Sequence, residues 1–445
     1  MEEKKVCKYG IVAELMIEDS EHVYREAGMI IENGIISIVA EAEKVKRFCA
    51  EKGYPLKDYG DCLIMPGFVN AHTHMYGVYS HGVPNEMASF ESFLEDYWWP
   101  FFENRLRTVH ILPAVQYAVI ESLESGVTCL CDTLEAPFAE DGILEEECRI
   151  WKRAGLKGIV STECSERIST ENGYQVHQEN LQFAQVHKQD SIRGAMCSHT
   201  TFTCGAEFIK KMGEDSKTNH ILWQFHLNES GYEWAYAQKH YGMAPLEYLE
   251  ALNVLHGQIL ASQCVCMSSQ ELELLDSRHI GAVHMPLSNC EVGSGVAPVP
   301  AMLKKGICVA LGTDGYVNDF FAVMRAAFLF HKGVNHNAAL MPAHEVFKMA
   351  TENGAAVMGM EKNIGKLKKG YCADYVILKN DFPTPLLVKN VFDQLILFGK
   401  KELIQEVVTD GQVRCKEKKI PGIDKEEVSQ ELKGRVMDFW KTGKG

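Results

Sequence analysis

The sequence predicts an α/β fold, a (β/α)8 barrel of the TIM type with a small β-sandwich domain formed by both chain ends. Three observations carry this prediction. At 445 residues the chain is too long for one ordinary single-core domain but suits a large barrel plus a smaller unit. Its two ends read as short strands and turns, whereas its middle alternates short apolar runs with helical segments. Polar and ionisable residues recur where those apolar runs end, at the rim on which a barrel builds its active site.

In chain order, residues 1–65 open the small domain. "GMIIENGIISIVAE" has two β-rich runs on either side of "ENG", a hairpin signal. Residues 66–365 form the barrel, with strand candidates "CLIMPGFVNAHTH", "GVTCLCDT", "LKGIVSTEC", "IRGAMCSHT", "ILWQFHLNE", "NVLHGQI", "GAVHMPLSN" and "ICVALGTDG". Between them, "PAVQYAVIESLES", "CGAEFIKKM", "MAPLEYLEAL" and "SSQELELLDS" carry apolar residues three and four apart, the helical spacing. Residues 366–420 return to strand and turn ("ADYVILKN", "IQEVVTDGQVR") and complete the sandwich with the first segment. Residues 421–445 place Val428, Leu432, Val436 and Phe439 on one face of a terminal helix.

Composition narrows the function. A net charge of -15 opposes binding to a phosphate backbone or an anionic membrane surface, so neither nucleic acid nor membrane is expected as a partner. An acidic surface is compatible with a homodimer. The fifteen cysteines lie singly in apolar segments with no CxxC pair, which suggests free thiols in a reducing cytoplasm. The first residues lack the apolar core of a signal peptide, and no stretch reaches the ~18 apolar residues of a membrane span.

The chemistry begins with "NAHTH". Residues i and i+2 of a strand share a face, so His72 and His74 aim two imidazoles into the barrel mouth, a pair that suits zinc or ferrous iron. His226, ending the apolar run "LWQFH", is the natural third ligand, and Asp314 in "LGTDG" the fourth. Three histidines and a carboxylate leave a position for water, and such an ion acidifies water enough to make it a nucleophile at neutral pH. Hydrolysis is the expected reaction type. Attack on an unsaturated carbon also needs a proton carrier, and Glu229, three residues beyond His226, is placed to be one. His256, in the sixth run, would polarise the water or the developing oxyanion. Barrel enzymes with two metals carry a carboxylated lysine on the fourth strand; "IRGAMCSHTTFT" has none, so one divalent ion is expected, Zn2+ with Fe2+ as the alternative.

Together these motifs resemble the amidohydrolase superfamily, and within it the aminohydrolase group that includes guanine, cytosine and adenosylhomocysteine deaminases and triazine hydrolases. "MPGFVNAHTH", "SHTTFTC", "HLNES", "MPLSN", "LGTDG" and "IGKLKKGYCADYVIL" carry the likeness over nearly the whole chain. The resemblance implies metal ligation by His72, His74, His226 and Asp314, with Glu229 as proton shuttle and His256 beside the attacking water. It also implies that Asp314 relays the water's proton to departing ammonia and that His199 contacts substrate. Two features bear on substrate. Adenosylhomocysteine deaminases carry a ribose-binding glutamate just after a Trp-Pro-like segment, whereas "YWWPFFENRL" puts Glu103 one residue late. The aromatic run that includes Trp98 offers a surface on which a flat heterocycle would stack. These features look more like aminohydrolases of purine breakdown.

The expected function is therefore metal-dependent deamination of a small purine- or pteridine-like heterocycle, with water as co-substrate. The alternatives are a deaminase of adenosylhomocysteine, methylthioadenosine or adenosine-type nucleosides, a triazine amino- or chlorohydrolase, and a non-catalytic binding relative.

Overall fold

A computed structural model describes residues 7–84, 86–315 and 317–442. The chain begins with strands β1 (Lys8–Ile17), β2 (Val23–Glu32), β3 (Ile35–Glu41), β4 (Leu56–Asp58) and β5 (Leu63–Pro66). The β2–β3 turn is Asn33–Gly34, both with positive φ (55° and 84°), as a tight hairpin matched to strand twist requires. Barrel strands follow: β6 (Phe68–Thr73), β7 (Val127–Leu134), β8 (Lys157–Thr162), β9 (Ile192–Gly194), β10 (Met196–Ser198), β11 (Trp223–Leu227), β12 (Ile259–Gln263), β13 (Gly281–His284) and β14 (Val309–Leu311). The chain then supplies β15 (Tyr375–Leu378), β16 (Ile404–Thr409) and β17 (Gln412–Lys416).

The small domain is one eight-stranded mixed sheet in the order β17-β16-β15-β5-β1-β2-β3, with β4 alongside β1. β5 from the first segment pairs antiparallel with β15 from the last, so the sheet takes strands from both regions. Its core gathers Tyr9, Met29, Ile64, Tyr375 and Val408.

The remaining strands are parallel, β6-β7-β8-β9 and β10-β11-β12-β13-β14. The two sets meet at both seams. Cys164 N donates to Cys197 O and His199 N to Cys164 O, both at 3.0 Å, and Thr313 N and Asp314 N both donate to His72 O, at 3.0 and 3.1 Å. The parallel strands thereby close into a barrel. Helices cross between them, including Thr108–Glu124, Ile143–Ala154, Thr170–Val186 and Ala206–Asn219.

The barrel interior is packed by small side chains at alternate positions, Val69 and Ala71 of β6 against Cys129 and Cys131 of β7. That placement explains the CxC spacing of "TCLCDT": both thiols face inward. Among the described residues all fifteen cysteines are free. The helix Lys425–Thr442 buries Leu432 and Phe439 and donates from Trp440 Nε1 to Tyr79 O at 2.8 Å.

One buried cation ties barrel to sheet. Lys157, at the start of β8, contacts Asp374 at 2.8 and 2.9 Å and Asp410 at 2.6 Å. Asp374 immediately precedes β15, and Asp410 lies in the β16–β17 turn. Among the described residues no helix is long and apolar enough to cross a membrane.

Candidate active site

The β6–β7 register shifts between Asn70 and Thr73, which resets the alternation that turns Val69 and Ala71 inward, and beyond it His72 and His74, two residues apart, share a face and are both buried. β14 passes very close by. A Cβ on Gly312 would lie 2.8 Å from His72 O, so only glycine permits the approach. Asp314 then takes a left-handed backbone (φ 61°) and brings Oδ1 to 3.2 Å from His74 Nε2. From β11, His226 places its Nε2 3.3 Å from that of His72, and the Nε2 atoms of His72 and His74 are 3.1 Å apart.

Neighbouring donor atoms at 3.1–3.3 Å suit a common tetrahedral ion, for which bonds of about 2.0 Å give ligand–ligand edges of about 3.3 Å. The far nitrogens of His74 and His72 are hydrogen-bonded, and that of His226 faces a carboxylate. His74 Nδ1 donates to Thr133 O at 2.7 Å, His72 Nδ1 lies 3.0 Å from Ser262 Oγ, and His226 Nδ1 lies 3.4 Å from Glu163 Oε2. Contacts of this kind leave Nε2 facing the centre as a lone-pair donor.

Electrostatics agree with the geometry. Burial, then the neighbouring imidazoles, holds His72 well below the ordinary histidine value, and burial brings His226 down to about 4, so both are neutral. His74 moves the other way: against burial, Glu135 and Asp314 raise it to about 10. Two carboxylates on one imidazole mark a place where positive charge is stabilised.

The pocket above this centre is lined by His74, His199, His226, Glu229, Gln263 and Asp314 on its polar side and by Phe93, Leu94, Tyr97 and Trp98 on its apolar side. Burial, followed by the charges of Asp314 and Glu135, pushes the Glu229 carboxyl well above the usual carboxylate range. Burial brings His199 down to about 3. Trp98 belongs to a wide, π-type helix, Phe93–Phe102, and packs on Phe102 with ring centroids 4.9 Å apart.

Of the residues singled out from sequence, His72, His74, His226, Asp314, Glu229, His199 and Trp98 converge here, and His256 does not. The sixth strand is Ile259–Gln263 rather than the 253–259 run, so His256 precedes it. Five strand residues of about 3.3 Å each separate it from the rim. Gln263 occupies the rim instead, donating from Nε2 to Asp314 Oδ2 at 2.8 Å while Asn289 Nδ2 donates to its Oε1. Glu103 is likewise not among the residues that line the pocket. It is 2% exposed, is bound by Arg167 Nη2 at 2.6 Å, and lies against Glu135.

Sequence reasoning missed Gln263 and two further acids, Glu135 and Glu163. A signal for them existed: each of the two acids is the first residue beyond a strand, β7 or β8, as His74 is beyond β6 and His199 beyond β10.

Known proteins resemble this chain along most of its length. The model described as "Amidohydrolase family" matches residues 63–414. The 5-methylthioadenosine/S-adenosylhomocysteine deaminase of Syntrophobacter fumaroxidans is 28% identical over 432 residues, spanning 94% of this chain and 95% of its own. Among solved structures, a zinc-bound adenosine deaminase from Xanthomonas campestris superposes with a TM-score of 0.88 at 21% identity, covering 98% of this chain and 99% of its own. The zinc-complexed atrazine chlorohydrolase of Arthrobacter aurescens superposes with a TM-score of 0.83 at 19% identity, covering 96% of this chain and 100% of its own. At these identities the structural likeness is one of fold. A family match over residues 63–414 takes in the whole barrel and all four converging donors. The chain belongs to the amidohydrolase family.

Proposed function

We propose that the protein is a metal-dependent hydrolytic deaminase that releases ammonia from an amidine carbon of a purine- or pteridine-like heterocycle. The observation that carries this reading is the convergence of His72, His74, His226 and Asp314 donor atoms at 3.1–3.3 Å on the floor of a pocket that also holds Glu229. These four residues hold a single divalent ion, zinc by analogy with the zinc-bound relatives of the same fold. When bound, the ion supplies an activated water at neutral pH.

The side chains do the rest. Tyr97 and Trp98 offer flat apolar surfaces to the ring, and His199 faces it as a neutral hydrogen-bonding group. As water adds to the amidine carbon, Glu229 delivers one of its protons to the ring nitrogen and Asp314 passes the other to the amino group. The tetrahedral carbon then expels ammonia and becomes a carbonyl. Gln263 keeps the Asp314 carboxylate in place with an amide whose charge does not change with pH.

A second reading, deamination of an adenosine-type nucleoside, is favoured by the names of the sequence relatives. Against it stands Glu103, the candidate ribose ligand, whose carboxylate is engaged by Arg167 at 2.6 Å. A screen of metal-replete protein for ammonia release decides between them, using aminated purine and pteridine bases, adenosine-type nucleosides including adenosylhomocysteine, and amino- and chlorotriazines. Turnover of bases supports the first reading; turnover of nucleosides with no action on free bases overturns it. The free thiols support a cytoplasmic location.

A further inference from the structure

Beside the first centre, the rim carries a further group of ligand-type side chains, of which the proposed reaction leaves Glu135 and Glu163 without a role. Glu135, Glu163, His199 and His226 offer donor atoms that all lie within 4.8 Å of one another. Glu163 Oε2 is 3.4 Å from His226 Nδ1, and Glu163 Oε1 is 3.8 Å from His199 Nδ1. The Glu163 side chain is 6% exposed, yet its Oε2 has no hydrogen-bond partner, nor has His226 Nδ1. The two unpartnered atoms lie 3.4 Å from each other.

Charge points the same way. Glu135 and Glu163 lie within hydrogen-bonding reach of each other, deep in the barrel mouth. The nearby guanidinium of Arg167 is taken by Glu103 at 2.6 Å. Among the described residues, neither Glu135 nor Glu163 has a lysine or arginine at ion-pair distance. Two adjacent buried carboxylates are unfavourable unless a cation or a shared proton offsets them.

We propose that Glu135, Glu163, His199 and His226 form a second divalent-cation site adjoining the first. Two oxygen and two imidazole donors suit zinc, manganese(II) or ferrous iron. His226 joins the two centres: its Nε2 faces His72 at 3.3 Å and its Nδ1 faces Glu163 at 3.4 Å. Occupation of both centres releases its ring proton to solvent. The ligands come from the ends of β7, β8, β10 and β11, so the absence of a fourth-strand lysine has no bearing on this site. The proposal goes beyond the deaminase reading and shares His226 and His199 with it.

The test is metal stoichiometry. The full chain is stripped by a chelator, dialysed against excess zinc(II) and desalted, and bound zinc is counted by elemental mass spectrometry. The native protein should hold two equivalents. Glu135→Gln/Glu163→Gln should hold one, and so should His72→Ala/Asp314→Ala, which loses the ion of the first centre. Cobalt(II)-loaded native protein should show two sets of d–d bands, one of which the glutamate variant lacks. Fewer than two equivalents in the native protein overturns the proposal whether or not any variant folds. Two equivalents in the glutamate variant also overturn it, and the carboxylates then share a proton instead. Two equivalents retained by His72→Ala/Asp314→Ala would instead refute the first centre, while loss of one from the glutamate variant still supports the second.

Discussion

Replacing Gln263 with alanine should cripple the site and leave the fold intact. Gln263 is 1% exposed and donates to a carboxylate that is itself 7% exposed, at 2.8 Å. A hydrogen bond to a charged partner contributes about 1.5–3 kcal/mol, which corresponds to roughly 10- to 150-fold in an equilibrium or rate constant. The backbone at Gln263 is left-handed (φ 75°), a conformation the native side chain already tolerates, so alanine adds no new strain there. The loss should therefore appear at Asp314, as weaker metal binding or slower turnover. Two assays read it: kcat/KM for ammonia release, and zinc affinity by competition with a chromogenic chelator. Thermal unfolding serves as the control. A variant within threefold of the native protein in both, at unchanged Tm, would show that Asp314 needs no help from the sixth strand.

Three further outcomes follow from the same structure. Glu229→Gln should keep its metal and lose about 100-fold or more in kcat, the usual contribution of a general acid–base group; an unchanged rate removes Glu229 from proton transfer. Stability should fall as the pH drops from about 6.5 toward 4, because burial holds His331 down at about 4 and, with His331 beside it, holds His284 well below its ordinary value. Over that range the unfolded chain takes up protons that the folded one cannot, at up to about 1.4 kcal/mol per pH unit per histidine. Denaturant titrations across that range should show a shallower slope for His331→Gln, and equal slopes would contradict the assignment. Lys157→Met should cost about 3–5 kcal/mol, because Asp374, 3% exposed, is left buried without its cation. Asp410, at 46% exposure, adds little to that figure. Chemical denaturation measures the cost, and a loss under 1 kcal/mol would mean that water reaches Asp374.

Much of the site could be read along the chain because its logic is local. The spacing in "HTH" puts two imidazoles on one face of any strand. "ENG" makes the β2–β3 turn because Asn33 and Gly34 both accept positive φ. The CxC of "TCLCDT" is an inward-facing alternation that any buried barrel strand displays.

What could not be read was where strands begin and which way isolated acids turn. "NVLHGQI" has the apolar content of a strand, but the ladder with β11 and β13 starts only near Ile259 and Leu260, which moves the sixth rim position from His256 to Gln263. Glu103 sits next to an aromatic run in sequence, yet Arg167, 64 residues away, decides its orientation. Glu135 and Glu163 look like ordinary loop acids until the pairing of β7 with β8, in register at Leu134 and Thr162, sets them side by side.

By itself, then, the sequence determined element types, the facing of residues two or four apart, and the donor chemistry at strand ends, since these depend on backbone period and side-chain identity. Only the tertiary structure decided strand register, the identity of the sixth rim residue, and the meeting of carboxylates from different strands. Those depend on hydrogen bonding between strands distant in the chain, and a buried charge settles beside whichever partner that pairing brings within reach.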